Sequence, residues 1–153
     1  MAEAFLRILV PEWSVCSAGT EPARMVHPLA IRVMEEIGID LRNARPKSVV
    51  EFLDQPFDIV LTVCHNAKGT CPVFTGTVVQ RMHIGFEDPA EARGTEEEIL
   101  RVFRRVRDEI QTQMISFHER ERSAPVAVNG SLHNGEAALP PEKSSEEHRK
   151  KGR

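Results

Sequence analysis

Tyrosine is absent from these 153 residues, tryptophan occurs once and cysteine three times. Three cysteines are too few, and too odd a number, for a disulfide-stapled secreted scaffold, so cysteine chemistry here is expected to be redox or catalytic rather than architectural. Neither sign of charge dominates: a net charge of -3 and a pI near 6.1 give no global positive field. Binding to nucleic acid or to an anionic membrane is therefore not expected. Long apolar runs are lacking too, since stretches such as Phe57 to Val63 fall far short of the roughly 20 residues that cross a bilayer. The start, Met1-Ala2-Glu3-Ala4, has no basic region followed by an apolar one, which points to the cytoplasm. Aromatic residues stop early: all seven Phe and the Trp lie at or before Phe117. Residues 119–153 mix both charges with Ser, Asn, Gly and the Pro140-Pro141 pair, a composition that buries too little apolar surface to offset the entropy of ordering it. They are expected to form a charged, disordered tail, and residues 1–118 a single domain.

Within that domain helical and strand signals alternate, the pattern of an α/β fold with a parallel sheet covered by helices on both faces. Met1 to Val10 reads as a helix with Ala2, Phe5, Leu6 and Leu9 on one side. Ser14 to Ala18 reads as a short strand ended by Gly19. His27-Pro28 opens a second helix, with Leu29, Val33, Met34 and Ile37 on its apolar side and Gly38 at its stop. Phe57 to Val63 is an unbroken, β-branched run suited to a strand buried on both faces. Thr95 and Glu98 form a capping box for the last helix, whose stripe is Ile99, Phe103, Val106, Ile110, Met114 and Phe117. Arg101, Arg104, Arg105 and Arg107 alternate with acidic residues, so that helix surface reads as solvated rather than as a binding patch.

Cys64 ends the apolar run, and the carboxyl ends of parallel strands are where ligands and reactive groups gather. Cys71 follows after His65-Asn66-Ala67-Lys68-Gly69-Thr70, a polar, Gly-containing segment. Two thiols flanking a flexible loop can reach the Cα separation of about 5.5 Å that a disulfide needs. Lys68 and His65 could each favour a thiolate, the form that attacks in thiol exchange. From spacing alone three readings stay open: a redox pair, a buried Cys64 with an incidental Cys71, or a metal site, for which His65 and His83 are the nearby candidates.

The surrounding segments carry more. Met1-Ala2-Glu3-Ala4, Val15-Cys16-Ser17-Ala18-Gly19, Asp58 through Cys64 followed by Cys71-Pro72, His83-Ile84-Gly85-Phe86-Glu87-Asp88-Pro89 and Val102 through Ile110 occur in this order. Together they resemble the thioredoxin-coupled arsenate reductases built on the low-molecular-weight tyrosine phosphatase fold, over nearly all of residues 1–118. The resemblance implies a three-layer, flavodoxin-like α/β/α domain with a small parallel sheet. It implies reduction of arsenate to arsenite by a thiol–disulfide relay in which Cys64 and Cys71 take the second and third cysteine roles. Asp88 takes the role of the acid that protonates the leaving oxygen, which needs a carboxyl kept protonated by its site. No tightly bound cofactor is implied; the reductant is thioredoxin or glutaredoxin, and the domain a monomer. A monovalent cation is implied at Glu3 and Ser17, where Lys47 replaces an acidic ligand and could stand in for the ion.

One part of the pattern is absent. The family's first cysteine sits in a Cys-x5-Arg loop that holds the oxyanion on backbone amides at a helix N-terminus, and it precedes the segment matching Met1. Here the residues six places after Cys16, Cys64 and Cys71 are Pro22, Thr70 and Thr77. Cys16 reads as a buried structural thiol. The first strand and that loop are thus expected upstream of Met1, and residues 1–153 are expected to be inactive without them. Two other readings are a low-molecular-weight tyrosine phosphatase, against which the lack of Tyr and the cysteine pair argue, and a non-catalytic binding protein of the same fold.

Overall fold

The computed structural model describes residues 1–64 and 74–123. Helix α1 (Ala2–Leu9) has Glu3 in its first turn and Arg7 in its last, each at the end of the helix dipole that favours its charge. Its inner side carries Phe5 and Leu6. Helix α2 (Pro28–Glu35) starts with a proline, whose missing N–H would have had no helical partner there anyway. The His27 ring caps it, Nδ1 accepting from the Leu29 N–H at 3.2 Å. Gly38 ends it at φ +79°, and the amides of Gly38 and Ile39 then donate back to Glu35 and Met34. The left-handed residue is what lets these last carbonyls be satisfied.

Strands β1 (Phe57–Thr62) and β2 (Val78–His83) pair in parallel, with Ile59 opposite Gln80 and Thr62 opposite His83. Because side chains alternate along a strand, Ile59, Leu61 and Met82 share one side, which packs against the helical core. Val60, Thr62, Arg81 and His83 share the other. Helix α3 (Glu96–Ser123) runs behind the sheet and presents Leu100, Phe103, Val106, Ile110, Met114 and Phe117 to α1, α2 and the strands. Its capping box forms as expected: Glu98 N–H donates to Thr95 Oγ1, and Thr95 N–H to Glu98 Oε2 at 2.8 Å. The helix continues through Ser123, past the boundary placed at residue 118.

Three local readings change. Ser14 to Ala18 is extended but forms no ladder; its continuation makes one parallel bridge, Gly19 with Ser48. The Val15 carbonyl is taken instead by the Arg7 guanidinium, through bonds of 3.2 and 2.9 Å. β1 stops at Thr62 and is only half-buried, because the sheet has two strands among the described residues and one β1 edge is not laddered. Helix α3 turns Leu100 rather than Ile99 fully inward.

The arginines of α3 are also not all solvated. Arg107 is 8% exposed and donates to the Val33 carbonyl at 2.8 Å, to Glu36 and to Asp108. Val33 O lies at the end of α2, where the Ile37 N–H has moved to Met34, so Arg107 satisfies a carbonyl the helix leaves over. Arg104 doubles the link through Glu36, at 2.8 and 2.9 Å. The hydrogen bonds from Arg104 hold the Glu36 carboxyl below its ordinary value of 4.5; partial desolvation opposes them, and the charges of Arg104 and Arg107 add to the lowering. A carboxylate with a depressed folded value stabilises the fold above its unfolded value, and that contribution is lost as pH falls through the folded one. Glu36→Gln is therefore expected to be less stable than the parent near neutral pH, and the two to converge on acidification. Urea unfolding midpoints followed from about pH 7 to about pH 3 check this; parallel curves would contradict it.

Candidate functional site

The carboxyl end of β1 is fixed by the chain leaving β2. Ile84 N–H donates to Thr62 O at 2.9 Å and Phe86 N–H to Val63 O at 3.4 Å. This sets the Cys64 backbone beside Gly85, where an added Cβ would lie 3.2 Å from Cys64 O. Cys64 is half-buried and disulfide-bonded. Its expected partner, Cys71, lies outside the described residues, as do His65 and Lys68. Next to Cys64 the last cross-strand pair meets side chain to side chain. Thr62 Oγ1 donates to Met82 O at 3.1 Å and lies 2.9 Å from His83 Nδ1.

Asp88 follows on the same stretch of chain. It caps the 3-10 turn Pro89–Glu91, its Oδ1 accepting from the Ala90 N–H at 2.9 Å, and it is exposed. Glu87 ties this loop to α3 through Arg105 at 2.6 Å. Asp88 and Cys64 therefore both stand beyond the carboxyl ends of the paired strands, which is where the sheet's dead-end backbone groups leave room for a ligand.

Chain that re-enters the described structure at Phe74 is anchored toward the other end of β1. The Phe74 ring meets Phe57 edge to face at 5.7 Å, and Arg81 donates to the carbonyls of Phe74 and Gly76 at 3.2 and 3.1 Å. Gly76 is required by close approach, since an added Cβ would fall 2.5 Å from the Phe74 ring and 2.9 Å from Leu53 O.

Glu3 and Ser17 do meet. The Ser17 hydroxyl donates to Glu3 Oε2; Lys47 Nζ lies 3.6 Å from that oxygen, and Arg7 reaches Oε1 at 2.7 Å. Two side-chain cations thus already flank this carboxylate, and the residues do not fit a bound monovalent ion. Among the described residues, no group of three or more His, Cys, Asp and Glu is close enough to hold a metal. Cys16 is exposed, not buried as expected, because its segment joins no ladder that would cover it. Partial desolvation pushes its thiol up and Glu3 adds to this, while Lys47 and Arg7 pull the other way.

Sequence reading missed the Thr62–His83 pair and the part of Arg7. In the sequence His83 is a metal candidate and the first residue of a family-resembling segment, with no role of its own. The parity of β1 and β2 puts residues 62 and 83 on one face, but only once the register is known.

Residues 1–125 match the family described as low molecular weight phosphotyrosine protein phosphatase, and the chain belongs to that family. Relatives to which it is similar include arsenate reductases. One from Halalkalibacterium halodurans is 45% identical over 120 residues, 78% of this chain and 85% of the relative. One from Bacillus subtilis is 42% identical over the same shares. Among solved structures, an arsenate reductase in its oxidized state matches at a TM-score of 0.63 and 28% identity, over 78% of this chain and 86% of that one. A reduced-state structure matches over the same shares at 0.60. No helix among the described residues is long and apolar enough to cross a membrane.

Proposed function

We propose that this chain carries the thiol–disulfide part of an arsenate reductase, with Cys64 and Cys71 as the exchanging pair and arsenate as the oxyanion substrate. The observation that carries this reading is a disulfide-bonded Cys64 at the carboxyl end of a parallel strand. Asp88 stands on the loop that follows the neighbouring strand and serves as the proton donor to the leaving oxygen. Lys47 neutralises Glu3 where relatives of the resembling family hold a cation, an ammonium giving the same charge without coordination. The step that needs a Cys-x5-Arg loop is assigned to none of residues 1–153. A phosphatase role has less support: the sequence contains no Tyr to grip an aromatic ester, and phosphate-ester hydrolysis has no use for a cysteine pair.

Electrons reach the pair from a dithiol protein. Its thiolate attacks one sulfur, a mixed disulfide forms, and the second thiol of the reductant releases the chain with both cysteines reduced. The test is to oxidise the protein and add thioredoxin with its reductase and NADPH. One NADPH consumed per chain, with two new alkylatable cysteines mapped to Cys64 and Cys71, is expected. Consumption only with glutaredoxin and glutathione would reassign the reductant, and none with either would overturn the proposal.

A further inference from the structure

The geometry points to His83 as the proton acceptor for the Cys64 thiol, with Thr62 fixing which ring nitrogen is free. This rests on the relay reading above and adds a catalytic part to it. A hydroxyl has one hydrogen, and that of Thr62 is given to Met82 O at 3.1 Å. Toward His83 Nδ1, 2.9 Å away, Thr62 Oγ1 can then only accept. We assign the hydroxyl hydrogen to Met82 O, which can only accept, so that Nδ1 carries the ring hydrogen and Nε2 keeps its lone pair.

Nε2 lies on the Gly85 side of the ring, near the Cys64 backbone. The ring leans into the space that Gly85 leaves by having no side chain: a Cβ there would lie 3.2 Å from His83 Nε2 and also 3.2 Å from Cys64 O. Nε2 and the Cys64 carbonyl oxygen are thus separated by no more than about 6.4 Å, which puts the ring beside residue 64. His83 is exposed and Cys64 half-buried, so the imidazole can exchange its proton with solvent between turnovers. Among the described residues, the charged groups nearest in the sheet and the loop after it have other partners. Arg81, on the same face of β2, is held by Phe74 O and Gly76 O. Glu87 is held by Arg105 and Asp88 by the Ala90 amide, while Asp58 lies toward the far end of β1.

The balance closes with arsenate, the oxyanion substrate of the proposed function, as the two-electron oxidant that leaves Cys64 in its disulfide, and with the dithiol as the reductant. In the reduced chain the Cys64 S–H bond breaks, the proton joins Nε2, and a thiolate faces an imidazolium. When the dithiol later cleaves the Cys64 disulfide and Cys64 departs as a thiolate, the imidazolium returns that proton. The dithiol supplies both electrons and leaves as a disulfide, and His83 ends as it began.

The test uses the chain with Cys16→Ser and Cys71→Ser, so that Cys64 is the single thiol, with and without His83→Asn. Asparagine keeps a donor for Thr62 Oγ1 but has no basic nitrogen. Iodoacetamide alkylation is followed by mass spectrometry across pH. Near pH 7 the His83→Asn rate is expected to be about tenfold lower, and the two profiles to meet above about pH 10, where a thiol with an ordinary value near 8.5 ionises unaided. Superimposable profiles, or a constant offset at every pH, would overturn the assignment, the second outcome meaning that His83 affects only access. Failure of the relay reading is seen separately: Cys64 and Cys71 in the Cys16→Ser chain would then not pair on oxidation.

Discussion

Cys71→Ser is expected to leave the oxidised protein with nothing for thioredoxin to reduce: NADPH consumption should fall from one equivalent per chain to the reagent background. On the proposed pairing, a tether of six residues between the cysteines gives the second thiol an effective concentration of about millimolar, which no thiol in dilute solution matches. Without Cys71 the only disulfides open to Cys64 are with a small thiol or a second chain; both are detectable by mass, and oxidising dilute protein without small thiols keeps them from contributing to the NADPH count. Cys64→Ser should be equally null. Cys16→Ser should behave as the parent, since Cys16 stands on the extended segment near Glu3, apart from the carboxyl end of β1. Loss of the redox equivalent in Cys16→Ser, with retention in Cys71→Ser, would reassign the couple.

Phe103→Ala should cost about 3–5 kcal/mol of unfolding free energy, the range for truncating a fully buried aromatic ring. Phe103 is 1% exposed in the centre of α3. Its ring also stacks on the His27 imidazole, with centroids 4.8 Å apart and planes inclined by 26°. Truncation therefore opens a cavity in α3 and frees the side chain that caps α2. Domains of this size have about 5–15 kcal/mol in hand, so the variant should unfold at a much lower urea midpoint with an unchanged slope. A change below about 1 kcal/mol would mean that the helices close over the gap.

How far the sequence could be read depended on how local each cause is. The capping box of Thr95 and Glu98, the proline start of α2 and its Gly38 stop each lie within a few residues, and all formed where expected. The stripe of α3 followed from helical spacing. Ser14 to Ala18 did not become a strand because a strand needs a neighbour, and β propensity does not supply one. Arg107 looked like a surface residue because its partners, Val33 and Glu36, are remote in sequence. At the site, Cys64 was legible from its place at the end of an apolar run, and the meeting of Glu3, Ser17 and Lys47 only through family resemblance. The Thr62–His83 contact depends on a cross-strand register that no local pattern encodes.

The length and direction of α3 have a practical consequence. Its first half is tied to the Asp88 loop through Arg105, and its 28 residues at 1.5 Å each carry the chain about 42 Å before Ser123. A fluorophore, affinity handle or surface tether grafted just after Ser123 would project from the far pole of the molecule. The carboxyl ends of β1 and β2 would stay clear for immobilised or single-molecule measurements.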